Sequence, residues 1–249
     1  LGKSIKEPVI SVRYEREEQY RGGVWAGAAH ITDLCRTVDV LHGGRVTTNT
    51  RFVDAVYNRK LFTIHEYADK PDSLSGNIRD YDLVIVCDFG HGTMSSDLIE
   101  RVSKEARFLA VNTQTNSQNY GFNLITKYPR ADYVVLDELE ARLAAHDKDS
   151  PLEDVILKLG HKRIVVTQGA NGAIGFDGEF YRGGVKTDRV TDTIGCGDAF
   201  LCVSAPFACA RFGINDLVTI GNVAGVIKAA ILGHQTHITK VELEKWLAR

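Results

Sequence analysis

Leu83-Val-Ile-Val-Cys87 is a short, unbroken apolar run with no polar residue to alternate against. A strand with one wet face alternates, whereas a strand covered on both faces does not. Runs of the same kind recur at Phe108 to Val111, Tyr133 to Leu136 and Arg163 to Thr167. Between them Ser95 to Glu105, Glu138 to Ala145 and Leu152 to Leu159 read as helices. Buried strands alternating with helices specify βαβ units, so the fold class read is α/β with a mostly parallel sheet. In open sheets of this type ligands sit beyond the carboxyl ends of the strands. The loops after Val86, Val111, Leu136 and Val166 are therefore where chemistry is expected.

Working outward, Glu7 to Tyr14 alternates and reads as an early strand. Gly22-Gly23 opens a small-residue helix running to about Leu34. Phe52 to Tyr57 and Lys60 to Glu66 read as two strands joined by a turn at Asn58-Arg59, an antiparallel element apart from the parallel core. Beyond the core, Ala173 to Phe176 and Glu179 to Arg182 flank Asp177-Gly178, a strong hairpin signal. The last third reads as three helices, Gly197 to Phe212, Asn215 to Leu232 and Thr239 to Ala248.

With 249 residues, 44% of them hydrophobic, the chain can bury one large core plus a small appendage. A formal net charge of −2 gives no electrostatic reason to expect a nucleic acid or an anionic membrane as partner. The five cysteines form no C-x-x-C pair, which points to a reducing, cytoplasmic compartment and away from a disulfide framework or zinc site. The longest nearly apolar run, Ala199 to Ala210, is too short to cross a bilayer. The histidines lack ligand spacing, so no histidine metal centre is expected. The chain begins at Leu1 and reads as a fragment of a longer product.

Thr191-Asp-Thr-Ile-Gly-Cys-Gly-Asp-Ala-Phe200 carries the chemistry. Gly195 and Gly197 flank Cys196, and Asp198 then opens an apolar helix. Glycines let the backbone approach a ligand, and free N–H groups at a helix start favour an anion. A phosphoryl group is the natural guest. Asp198 at the same helix start can accept a proton from an attacking hydroxyl, or it can merely complement the helix dipole. Asp88, after a buried strand, can line the site or stabilise a turn. Asn112 also follows a buried strand and is a further site candidate.

Asp192-Thr-Ile-Gly-Cys-Gly-Asp-Ala-Phe200 resembles the signature of the ribokinase/PfkB carbohydrate kinases, with Cys196 in place of the usual alanine. Arg21-Gly-Gly-Val-Trp-Ala-Gly-Ala-Ala29 resembles that family's substrate-side glycine motif. Val165-Val-Thr-Gln-Gly-Ala-Asn-Gly-Ala173 resembles its nucleotide-side strand and turn, and Gly221-Asn222-Val-Ala-Gly225 its adenine-bordering helix. The resemblance implies a three-layer sandwich with a small β lid formed by residues 7–20 and 50–67 of a single kinase domain. It implies an ATP-dependent sugar kinase with Asp198 as base and Gly195, Cys196 and Gly197 as anion hole. ATP contacts are implied near Thr167, Gly169, Gly172, Asn222 and Gly225. Sugar contacts are implied at Gly22, Gly23, Asp88 and Asn112, and a homodimer as the assembly.

In that family an Asn-x-x-Glu helix start is tied to Mg²⁺ through water. Here Asp137-Glu-Leu-Glu140 stands in its place, which implies Glu140 as the Mg²⁺ residue. Lys6 to Arg13, Thr50 to Asp54 and Val86 to Gly92 are similar to the kinase domain of bifunctional heptose-7-phosphate kinase/adenylyltransferases. That similarity implies a sugar-phosphate substrate. The expected Asp-Pro-Lys-Gly is replaced by a polar run from Asn112 to Asn119, leaving Lys127 as the nearest lysine downstream. Only Arg36 to Val46 stands where the family has a strand–helix–strand unit, which predicts residues missing between 36 and 50. The rival reading is a nucleotide- or sugar-binding module of this fold that serves a fused nucleotidyltransferase.

Overall fold

The computed structural model describes residues 2–3, 10–41, 47–54, 56–57, 59–66, 76–185, 187 and 189–248. Of the segment 36–50, where missing residues are expected, residues 42–46 lie outside the described residues. The chain divides into two compact units, residues 1–20 with 46–69, and residues 21–45 with 70–249.

The smaller unit is antiparallel. β1 (Gly2–Lys3) pairs with β2 (Ile10–Ser11), and β3 (Thr48–Asp54) pairs with β4 (Arg59–Glu66). Of the strand read over Glu7 to Tyr14, residues 7–9 lie outside the described residues, and past Ser11 the backbone has no regular structure. The β3–β4 turn comes earlier than read, because Asp54 Oδ1 accepts the backbone N–H groups of Val56 and Tyr57 at 2.9 and 3.1 Å. An aspartate that gathers the N–H groups ahead of it makes its own turn, and Arg59 is thereby released into the second strand. Phe52 and Phe62 stack across the pair with centroids 4.3 Å apart.

The larger unit is built on a six-stranded sheet in the order β10-β9-β8-β7-β6-β5. Its parallel part comprises β5 (Val84–Asp88), β6 (Leu109–Thr113), β7 (Tyr133–Asp137) and β8 (Ile164–Thr167). β9 (Ala173–Phe176) and β10 (Phe180–Gly183) add an antiparallel edge through the Asp177-Gly178 hairpin. The helices are α1 (Val24–Ala29), α2 (Ser96–Glu105), α3 (Glu138–Ala145), α4 (Leu152–Leu159), α5 (Cys196–Cys209), α6 (Ile214–Ala229) and α7 (Lys240–Leu247).

The unbroken apolar runs are explained by what covers them. Val86, Leu109, Val111, Val134, Leu136, Ile164 and Val166 pack with α2, α3 and α4 on one face. Cys87, Ala110, Tyr133, Val135 and Val165 point the other way, into α5 and α6. Successive strand residues thus enter two different cores, and three layers result. Leu109, Val111 and Val134 are 0% exposed, each contributing about 1.5–3 kcal/mol by burial. Ser95 caps α2, and Asp137 and Thr239 close capping boxes with Glu140 and Glu242 on α3 and α7.

Two differences from the sequence reading bear on function. β5, β6 and β7 each end later than read, on Asp88, Thr113 and Asp137, because the ladder follows the backbone and not side-chain polarity. Several helices are shorter than read. α1 ends at Ala29, α5 at Cys209 with Arg211 at φ +70°, and α6 at Ala229. The end of α6 is fixed by Thr191 and Asp192, whose N–H groups both donate to Ala229 O at 2.7 and 3.1 Å. Among the described residues no helix is long and apolar enough to cross a membrane.

Candidate active site

Gly195 is the N-cap of α5 at φ +76°, a backbone state that a side chain resists. No side-chain cap satisfies the first turn that follows. Cys196 N already donates to Thr193 O at 3.3 Å. The first-turn N–H groups beyond it remain as donors, and a Cβ on Gly197 would meet nothing within 4 Å. Donors, a helix dipole and empty space coincide there, as an anion site requires. The Cys196 thiol is held in its neutral form, its pKa raised chiefly by burial.

Asp198 lies in the first turn of α5 and is 8% exposed. Gln114 Nε2 donates to its Oδ1 at 2.5 Å. Burial raises its pKa to about 6, against the opposing pull of the Gln114 hydrogen bond and of Lys228. It is therefore a carboxylate at neutral pH with more basicity than a solvated one.

Gln114 belongs to the loop leaving β6, and the next residue serves the other buried carboxylate. Thr115 N donates to Glu140 Oε1 at 2.9 Å, and Asp137 N donates to Glu140 Oε2 at 2.8 Å. Burial raises the Glu140 pKa to about 7, with the Asp137 charge adding to it and the two backbone donors opposing. Both oxygens keep a lone pair for water. Among the described residues no group of three or more His, Cys, Asp and Glu could hold a metal directly. Asp137 is exposed and spends Oδ1 on capping Glu140 N.

Asp88 closes β5 and is 3% exposed. Its Oδ1 accepts Gly90 N at 3.0 Å, and its Oδ2 accepts Tyr128 Oη at 2.7 Å and pairs with Lys127 Nζ at 2.6 Å. The turn-stabilising geometry is thus present, and Lys127 is drawn to Asp88. Asn112 donates Nδ2 to Val135 O at 3.2 Å, while its Oδ1 is buried without a hydrogen-bond partner.

The two glycine segments far apart in sequence meet one ring. A Cβ on Gly22 would lie 3.5 Å from His234 Nε2, and one on Gly195 3.1 Å from His234 Cε1. Gly23, at φ +57°, lies against Phe89, the residue after Asp88. Gly22, Gly23, Gly195 and the β5 end are therefore drawn to one region.

Two of the nucleotide-side candidates, Gly172 and Asn222, meet at Gly183. A Cβ on Gly172 would stand 2.0 Å from Gly183 O, and Asn222 Nδ2 donates to the same oxygen at 2.9 Å. Thr167 pairs with Ala173 across β8 and β9. Gly169 and Gly225 border open space. Sequence reading missed Gln114, Tyr128, His234 and Lys228. Their only signal is position beyond a strand or within an apolar helix, since none belongs to a motif.

No curated protein sequence matches the chain. Among solved structures, ribokinase from Arabidopsis thaliana complexed with ribose and ATP is similar at 14% identity and TM-score 0.61, covering 76% of this chain and 65% of that one. Ribokinase from Thermotoga maritima is similar at 16% identity and TM-score 0.60, covering 82% and 70%. Fructokinase from Vibrio cholerae O395, in a form with fructose, ADP and calcium ion, is similar at 18% identity and TM-score 0.54, covering 66% and 60%. The chain thus spans about two thirds of the length of these relatives. These likenesses establish a ribokinase-like fold. Residues 36–239, well over half of the chain, match the pfkB family carbohydrate kinases, and the chain belongs to that family.

Proposed function

We propose that the protein transfers the γ-phosphate of ATP to a hydroxyl of a sugar or sugar phosphate. The observation that carries the reading is the buried Asp198 carboxylate beside the uncapped, open start of α5. Asp198 accepts the proton of the acceptor hydroxyl as that oxygen attacks phosphorus. Gln114 fixes the rotamer of the carboxylate. The N–H groups of the first turn of α5 beyond Cys196 meet the charge on the transferring group, an electrostatic role that needs no rearrangement at the moment of reaction. Thr167, Gly169, Gly172, Asn222 and Gly225 form the nucleotide side, and Gly22, Gly23 and Asn112 the acceptor side, with Asp88 holding Lys127 and Tyr128 at the end of β5.

Mg²⁺ suits the donor set, being a cation that keeps waters and binds through substrate phosphates and one or two carboxylates. Glu140 would hold its waters, and the ion would neutralise phosphate charge. Residues 7–20 and 50–67 would form a lid or a homodimer face. A cytoplasmic setting and a heptose-phosphate-like acceptor belong to the same proposal, the second resting on the likeness at residues 6–13, 50–54 and 86–92.

The test is ATP turnover by the full-length gene product against a panel of sugars and sugar phosphates. Transfer to at least one acceptor, lost in Asp198→Asn, is the expected result. ATP binding with no transfer to any acceptor would instead support a binding module.

A further inference from the structure

Lys228 is 0% exposed and is one of the largest fully buried side chains. It lies in the last turn of α6, and its Nζ donates to Ile231 O at 3.4 Å. The other end of its neighbourhood is the anion site. A Cβ on Gly195 would come within 3.5 Å of Lys228 Cε. A lysine is rarely fully buried unless it is paired.

The groups around it come from every element packed there. His30 stands on the α1 side, with its Nδ1 taken by Ile238 N at 3.0 Å. Burial, then the charges of Lys228, His234 and His237, lower the His30 pKa to about 4, so it stays neutral. His234 follows α6 and borders Gly195. From the loop before α5, Asp192 accepts Ile194 N and Gly233 N at 3.1 Å each, tying that loop to the chain just beyond α6. Cys196 and Asp198 complete the set, and both feel the lysine's charge. The carboxyl end of α6 is the negative end of a helix and suits an ammonium. The amino end of α5 is positive and suits a phosphate. Lys228 sits between them.

We propose that Lys228 is a positioning residue whose ammonium, tethered at Ile231 O beside Gly195, adds positive charge to the start of α5 and so favours a phosphate there. The proposal rests on the kinase reading for its consequence, not for its geometry. A fixed ammonium adds positive charge to the phosphate site without contributing a group to the reacting atoms. Removing it leaves the α5 start weaker for phosphate and leaves the Gln114 hydrogen bond to oppose the burial of Asp198.

The experiment titrates ¹³C-labelled aspartate in the full chain as wild type and Lys228→Met, alongside ATP affinity by calorimetry. In Lys228→Met the Asp198 midpoint is expected to rise from about 6 by about one pH unit, a tenfold change in proton affinity. ATP affinity is expected to fall about tenfold, with partial recovery in methylammonium. An unchanged Asp198 midpoint in folded Lys228→Met overturns the proposal. Should that variant not fold, the ε-carbon resonance of wild-type Lys228 decides. A shift on adding ATP supports the role, and no response overturns it. Absence of phosphate transfer by the wild type would sink the kinase reading while leaving the Lys228–Asp198 coupling intact, so the two failures are distinct.

Discussion

As the proposed base, Asp198 would carry a negative charge at a position that is 8% exposed. Its raised pKa is the measure of that conflict, and the linkage has a definite sign. With a folded pKa of about 6 against 3.8 for the ordinary group, the native state binds more protons between those values than the unfolded state does. Its contribution to stability therefore falls as pH rises through that window, by up to about 3 kcal/mol across the whole interval. The proposed activity runs the other way, because only the carboxylate accepts a proton. Two outcomes are expected. The profile of kcat/KM has an acidic limb with a midpoint near 6. Asp198→Asn, which keeps the Gln114 contact and deletes the charge, melts higher than wild type by calorimetry while kcat falls by about 10²–10⁴. A variant that melts lower would show that the buried charge is not the dominant cost. The Gly-Cys-Gly-Asp spacing made this residue legible in the sequence. Its partner Gln114 was not, because a lone polar residue after a strand looks like any loop residue.

At the scale of elements, the site depends on backbones that approach too closely for a side chain. Gly172 has φ +88° and its missing Cβ would stand 2.0 Å from Gly183 O. Gly221 on α6 would drive a Cβ to 2.3 Å from the Phe200 ring on α5. Neither neighbour is the free end of a flexible chain. Gly221→Ala is expected to destabilise by about 1–3 kcal/mol through overpacking, read as a lower urea midpoint with unchanged m-value. Gly172→Ala adds backbone strain and is expected to cost more and to weaken ATP binding as β9 and β10 separate. The loop after β6 shows the same economy of scale, since Gln114 and Thr115 reach Asp198 and Glu140 from adjacent positions. The strands and helices themselves were readable to within a few residues. Their polar last residues were not, since apolarity stops at Cys87, Val111 and Leu136 while pairing continues to Asp88, Thr113 and Asp137.

Across the whole molecule, long-range polar contacts hold the carboxyl edge of the sheet. Asp88, on β5, takes Lys127 and Tyr128 from a turn some forty residues later. Removing one member strands a buried charge, so Lys127→Met is expected to lower stability by about 3 kcal/mol in urea denaturation. The smaller unit carries exposed Phe52, Phe62 and Ile64 on one hairpin. A two-stranded hairpin is marginal alone, and exposed apolar strands invite pairing. If that face makes the proposed homodimer, Phe62→Lys shifts sedimentation to the monomer. A dimer that survives the substitution would assign the interface elsewhere.

From its amino acids alone the chain determined the α/β class, the two-sided burial of its strands and the glycine–aspartate helix start. Each of these is a local pattern, set by side-chain periodicity or by the backbone freedom of glycine. Only the tertiary structure decided that His234 stands between Gly22 and Gly195, that Asp88 is spent on Lys127 and Tyr128, and that Lys228 is buried beside Gly195. Those facts depend on which distant segments share a desolvated space, and no local pattern encodes that.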